Sequence, residues 1–352
     1  MNSPQPSIAT RLTRLLGIEH PIVLPGMTYV AVPRLVGAVS RAGGLGILAS
    51  GGLSTQECAQ AIADIRAITD KPFAVGCSLA LPGARECVSV ALDAQVPVLN
   101  ISMGKGDWVI ERAHAYGGKV IATVSNEKHA RAAIDSGVDG LIVTGHEAAA
   151  HGGKVTSMVL LPAVRDLCDL PIIAAGGVAD GRGLVAALAL GADAVAMGTR
   201  FATSLESPLH ADTKQLVVSK AAEATIYSKN FDTYPCRVMD TAGGRKYTAR
   251  PLSPPVALTR SVQAALEIDR PLMDLARDAM AQGPAQAVRT AYFGAATLAM
   301  RKAMYEANHD EGVQLIGQSQ GLVHDVVSVD EIMARTVAQA REALAQLQRG
   351  FV

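Results

Sequence analysis

The run Gly145-His146-Glu147-Ala148-Ala149-Ala150-His151-Gly152-Gly153 sets two imidazoles five residues apart, directly behind the apolar run Gly140-Leu141-Ile142-Val143-Thr144. An imidazole titrates near neutral pH and can take a proton from a weak carbon acid. Two Gly-rich turns follow further on, Ala175-Gly176-Gly177-Val178 and Met197-Gly198-Thr199-Arg200. Glycine lets the main chain approach an anion closely, and a helix N-terminus behind it offers N–H groups with no partner inside the helix. Thr199 adds a hydroxyl. A base beside a phosphate-binding turn is the chemistry of an enzyme with a phosphate-anchored cofactor. His151 is the candidate base and His146, nearer the apolar run, the candidate substrate contact. Glu147 is available to orient either imidazole or to cap a helix.

The elements that carry these residues repeat. Short apolar runs occur at 21–24, 45–49, 73–79, 96–102, 119–124, 140–144, 171–175 and 194–197. Each is nearly continuous in Val, Ile, Leu and Ala, as strands buried on both faces are. Helical patterns at 55–68, 84–94, 107–116, 127–136, 157–167 and 181–190 separate them, with Gly137 and Gly191 as stop signals. Eight β-α units in this order predict a closed (β/α)8 TIM barrel. No GxGxxG follows the first run, which argues against a dinucleotide-binding open sheet. In such a barrel the site lies at the strand C-terminal ends, with phosphate after strands seven and eight. Both Gly-rich turns fall there. Pro25-Gly26-Met27-Thr28 ends the first strand, and Gly76, Ser78, Asn100, Ser102, Thr123 and Ser125 stand at or near the ends of strands three to five. Small and hydroxyl residues at these places suit a flat ring over the barrel mouth.

The expected organisation is a barrel over 1–224, a mainly helical accessory and substrate region over 225–315, and a segment 316–352 whose helix (about 329–348) packs back on the barrel. Pro251-Leu252-Ser253-Pro254-Pro255 marks a break. The 352 residues carry 32 basic and 32 acidic side chains, so no nucleic-acid footprint is present. No apolar stretch has membrane-spanning length, and residues 1–13 lack the apolar core of a signal peptide, which predicts a cytoplasmic protein. The five cysteines are scattered without a CxxC pair and read as buried apolar residues; no metal site is expected. The expected partner is a small-molecule substrate, and a homodimer is compatible with the chain.

With these residues laid out, the chain resembles the nitronate monooxygenase (2-nitropropane dioxygenase) family of FMN-dependent β/α barrels. The resemblance rests on an ordered set: Gly17-Ile18-Glu19-His20-Pro21-Ile22, Pro25-Gly26-Met27, Ala42-Gly43-Gly44-Leu45-Gly46, Asp70-Lys71-Pro72-Phe73, the two-histidine run, Ala174-Ala175-Gly176-Gly177, Met197-Gly198-Thr199-Arg200-Phe201 and Gly317-Gln318. It implies that Gly176, Gly177, Gly198 and Thr199 bind the FMN phosphate, that Gly26, Met27 and Ser78 border the flavin with Thr123 and Gln318 also at the cofactor, and that His151 is the base. The same superfamily includes NAD(P)H:quinone reductases and flavin enoyl-thioester reductases. The chain departs from the commoner pattern at Thr144, where many relatives have Gln, at Ala149-Ala150 in place of Gly-Gly, and at Gly76 in place of Asn. The long 225–315 segment is a further departure.

Three reactions are therefore in competition. In the first, His151 deprotonates a nitroalkane or holds its nitronate, and oxygen is consumed to give a carbonyl compound and nitrite. In the second, NAD(P)H reduces FMN, which reduces a quinone or an enoyl thioester of CoA or a carrier protein. Arg245, Lys246 and Arg250 are then available for a CoA or carrier phosphate. The third is a flavin-free lyase or isomerase of a sugar phosphate, disfavoured by the missing strand-end lysine and carboxylate pair.

Overall fold

The computed structural model describes residues 8–81, 83–267 and 284–350. Eight parallel strands close a barrel in sequence order, β1 pairing with both β2 and β8. They are β1 (Ile22–Leu24), β2 (Leu45–Ala49), β3 (Phe73–Ser78), β4 (Val98–Ser102), β5 (Lys119–Val124), β6 (Gly140–Thr144), β7 (Ile172–Ala175) and β8 (Ala194–Ala196). The expected barrel is present. β1, β4 and β7 start later than the apolar runs do, immediately after Pro21, Pro97 and Pro171. A proline has no N–H for the ladder but can still accept. Its carbonyl does so in each case, from Val195, Lys119 and Leu141.

Side-chain alternation fixes what faces where. Val23, Leu45, Ile47, Ala74, Val98, Ile121, Ile142, Ile173 and Ala194 pack together inside the barrel. Leu12 and Leu16 of α1 (Arg11–Leu16) join this cluster. The alternate residues, such as Val75, Leu99, Val120 and Val143, pack outward with residues of the surrounding helices. Those helices are α2 (Pro33–Arg41), α3 (Thr55–Ile68), α4 (Ala84–Asp93), α5 (Asp107–His114), α6 (Glu127–Asp135), α7 (Ser157–Arg165) and α8 (Gly181–Ala189). Continuing the inward parity up each strand brings Gly76, Ser78, Asn100, Ser102, Thr123 and Thr144 to the mouth.

Beyond β8 lie α9 (Gly198–Ala202), α10 (Ala211–Ser219), a hairpin of β9 (Thr225–Ser228) and β10 (Cys236–Met239), α11 (Ala242–Ala249), α12 (Pro254–Glu267), α13 (Pro284–Glu306), a 3-10 turn (Gln318–Leu322) and α14 (Val329–Gly350). The expectation for this region is mainly helix, and the hairpin is an element that it does not include. Its strands have four residues each, and all four in β10 are buried, so no period-two pattern reaches the sequence. The final helix packs against α8. A Cβ on Gly181 would run into the Ala340 amide and the Thr336 carbonyl, and the Gly181 N–H donates to Gln339 Oε1 (3.2 Å). Four cysteines are buried, Cys168 is half-buried, and all five are free. No helix among the described residues is long and apolar enough to cross a membrane.

Candidate active site at the barrel mouth

The strand ends form a polar ring. Ser78 Oγ and Ser102 Oγ, in register on β3 and β4, lie 2.9 Å apart. Asn100 Nδ2 donates to Thr123 Oγ1 (2.9 Å) and to the Ile121 carbonyl (3.1 Å), so the amide and the hydroxyl fix each other. A Cβ on Gly76 would stand 2.9 Å from Ile47 Cγ2 and 3.4 Å from Asn100 Oδ1. The amide of the mouth thus comes from β4, and β3 contributes none.

Two turns close one side of the ring. Gly176 and Gly177 have φ of 102° and 77°, where a side chain is strained, and a Cβ on Gly176 would stand 3.0 Å from the Ala148 amide nitrogen. After β8, Thr199 is buried and its Oγ1 accepts from the Gly317 N–H (3.2 Å). That bond uses a lone pair of the hydroxyl and leaves its proton free to donate. Gln318 N–H donates to the Glu147 carbonyl (3.0 Å), and Met27 Sδ would lie 3.3 Å from a Cβ on Gly198. Met27, Glu147, Gly176, Gly177, Gly198, Thr199 and the Gly317-Gln318 pair are therefore one neighbourhood. Its donors are main-chain N–H groups and one hydroxyl, with glycine wherever the backbone must be approached. That set fits a phosphate. Gly26 belongs to the adjoining β1 end, where a Cβ would meet Ile47 Cγ2 at 3.4 Å.

The adjoining part of the mouth is built by the rest of the loop after β6, which also carries Glu147, and by the hairpin. His151 Nε2 lies 2.7 Å from Asp232 Oδ2, and Asp232 Oδ1 accepts from the Tyr234 N–H (3.1 Å). Asp232 is buried, 5% exposed at the side chain, whereas His151 is 32% exposed. The rings of Tyr234 and of Phe293 from α13 flank His151, with centroids 5.6 and 6.2 Å away. His146 Nδ1 donates to the Gly153 carbonyl (2.9 Å), and its ring meets Tyr227 edge-on at 4.5 Å. The two histidines are thus held separately. Glu147 orients neither: its carboxylate accepts from the Ser157 N–H and hydroxyl (3.0 Å each) at the start of α7, the capping alternative.

Arg237 ties this loop to the hairpin. Its backbone pairs with Ala150, a non-glycine residue at φ 54°, and its buried guanidinium donates to the His146 carbonyl (Nη2, 2.9 Å) and to Thr225 Oγ1 (2.9 Å). Tyr227 lies under the cation, 5.4 Å from its ring centre, and donates its hydroxyl to the Gly152 carbonyl (2.9 Å). Burial draws the Arg237 guanidinium below its ordinary pKa, yet a guanidinium stays charged in a protein. Asp232, Arg237 and Tyr227 escaped the sequence reading because the hairpin that carries them did. Arg245, Lys246 and Arg250 lie on exposed positions, and Arg245 is engaged with Asp240 (2.6 Å), whose carboxyl it holds below its usual range. Among the described residues no group of three His, Cys, Asp or Glu side chains could hold a metal ion.

Comparison with known proteins matches this chain to the nitronate monooxygenase family over residues 9–88 and 83–339. The (3aS,4S,5R,7aS)-5-hydroxy-7a-methyl-1-oxo-octahydro-1H-indene-4-carboxyl-CoA dehydrogenase of Rhodococcus jostii is 34% identical, over 95% of this chain and 96% of the relative. Among solved structures, FabK from Thermotoga maritima superposes with a TM-score of 0.82 at 34% identity, covering 98% of this chain and 100% of that one. The nitroalkane oxidase of Streptomyces ansochromogenes gives 0.78 at 25% identity, over 96% and 99%. The family model matches nearly the whole chain, and a relative is 34% identical over 95% of it: the protein is an oxidoreductase that belongs to the nitronate monooxygenase family.

Proposed function

We propose that the protein is an FMN-dependent oxidoreductase in which His151 takes a proton from an acidic C–H of the substrate. The observation that carries this reading is the pairing of a half-exposed imidazole with a buried carboxylate at the mouth of a barrel whose β7 and β8 turns fit a phosphate. FMN, when bound, supplies the electron transfer that no side chain at the mouth can perform. Gly176, Gly177, Gly198 and Thr199 would hold its phosphate. Gly26, Met27, Ser78, Thr123 and Gln318 would border the rest of the cofactor. His146, its Nδ1 proton engaged by the Gly153 carbonyl, keeps Nε2 as an acceptor for the substrate.

The first substrate reading is an alkyl nitronate, oxidised with oxygen to a carbonyl compound and nitrite. It is supported by the family match and by the likeness to the nitroalkane oxidase. The second is a CoA or carrier-protein thioester, with NAD(P)H as electron donor for a reductase. One observation favours it: at nearly equal coverage of this chain, the relative named for a CoA thioester shares 34% of its residues and the nitroalkane oxidase 25%. In the first reading His151 takes the proton of the parent nitroalkane or holds its nitronate, in the second it donates a proton to the reduced acceptor or orients it, and both require FMN. Heat release of the cofactor from purified protein should therefore give about one FMN per chain by chromatography and absorbance. FAD, or a colourless protein that does not take up FMN, would remove both readings.

A further inference from the structure

We propose that Asp232 is a positioning residue that holds the His151 ring proton on Nε2 and so makes Nδ1 the atom that receives the substrate proton. The inference rests on the reading of His151 as the base. A carboxylate only accepts hydrogen bonds, so the 2.7 Å contact between Asp232 Oδ2 and His151 Nε2 requires the proton on Nε2. A neutral imidazole has one ring proton, and Nδ1 is left with its lone pair. The other oxygen of Asp232 is held by the Tyr234 N–H at 3.1 Å, which stops the carboxylate from turning. Tyr234 and Phe293 flank the ring. Ala150, at φ 54° and paired with the Arg237 backbone, sets the chain direction just before His151.

His146 is locked the other way. Its Nδ1 donates to a carbonyl, so its Nε2 carries the lone pair. The loop therefore offers two acceptor nitrogens, and their surroundings differ. Proton transfer to His151 breaks a C–H bond of a nitroalkane, leaves the electron pair on the substrate as its nitronate, and forms an N–H bond on Nδ1. The resulting imidazolium faces the Asp232 carboxylate. An imidazolium at His146 would face a neutral carbonyl, with the Arg237 guanidinium on its own backbone oxygen. The hairpin thus selects between the two histidines: its turn supplies the acid that suits His151, and β10 the cation that disfavours charge on His146.

The test is a 15N–1H spectrum of protein labelled at histidine, with His151 assigned by its loss in His151→Ala. The expected wild-type result is a protonated Nε2 and a bare Nδ1. In Asp232→Asn the single amide oxygen stays on the Tyr234 N–H and the NH2 turns to His151. Nε2 must then accept, and the ring proton moves to Nδ1. With the lone pair misplaced, kcat is expected to fall by about 100-fold or more while KM and FMN content stay near wild type. Asp232→Glu, which keeps a carboxylate, should recover part of the loss. A wild-type His151 protonated on Nδ1, or an Asp232→Asn protein with unchanged tautomer and kcat, overturns the proposal. If Asp232→Asn does not fold, the wild-type spectrum decides alone. The expected tautomer together with full turnover in His151→Ala would overturn the base role itself, so the two failures are told apart.

Discussion

His151→Ala is expected to give a folded, FMN-replete protein whose kcat falls by about 100- to 10,000-fold, the range in which a positioned general base contributes. The imidazole's hydrogen-bond and ring partners among the described residues are Asp232, Tyr234 and Phe293, none of them in the β7 and β8 turns, so the proposed phosphate site should be untouched. What the truncation does leave behind is the buried Asp232 with one oxygen unpaired. Such a group costs about 1–3 kcal/mol or more when charged, so a lowered melting temperature is part of the expectation. His151→Gln separates the two effects. Its amide can donate to Asp232 and restore stability, but it cannot accept a proton at neutral pH. Turnover should stay low while the melting temperature recovers. Wild-type kcat in either variant would take His151 out of the reaction.

Gly177→Asp should cost the protein its cofactor. Gly177 lies in the turn after β7 at φ 77°, and a Cβ there would have Glu147 as its nearest neighbour, at 3.6 Å. Two unit charges about 4 Å apart at an effective dielectric of about 20 repel by roughly 4 kcal/mol, so FMN affinity should fall by roughly 10- to 1,000-fold, allowing for solvent at the rim. Gly177→Asn is the companion variant. Asparagine has nearly the same shape, tolerates positive φ better than most residues, and carries no charge. It should retain most of its flavin after exhaustive dialysis, when the aspartate variant has lost most. Equal retention in the two would mean that no phosphate lies near Gly177.

The barrel was legible because parallel strands buried on both faces leave near-continuous apolar runs, and because glycines such as Gly137 and Gly191 stop the helices between them. Strand starts were blurred only where a proline contributes a carbonyl but no N–H. The glycine turns were legible for a related reason: Gly176 and Gly177 occupy backbone conformations that other residues rarely adopt. Asp232 was not legible. It lies 81 residues from His151, in the turn of a hairpin whose strands are too short and too buried to show alternation. Glu147 could be read two ways from sequence, since a carboxylate beside two histidines also stands ten residues before Ser157. Only the folded loop shows that it serves the α7 N-terminus. The substrate stays beyond the sequence for a physical reason as well. The walls of the mouth come from residues as far apart as Phe293, Tyr234 and Ser78, and no local pattern joins them.

Anaerobic mixing of the FMN-loaded protein with propionate-3-nitronate, NADH or NADPH, followed by flavin absorbance, tests the central claim most directly. An FMN-dependent oxidoreductase should lose its absorbance with at least one of them. Bleaching by nitronate alone selects the nitronate reading, and bleaching by a nicotinamide alone selects the reductase, whose reduced flavin should then be reoxidised by an enoyl thioester or a quinone. A fully loaded flavin that none of the three reduces would contradict the account.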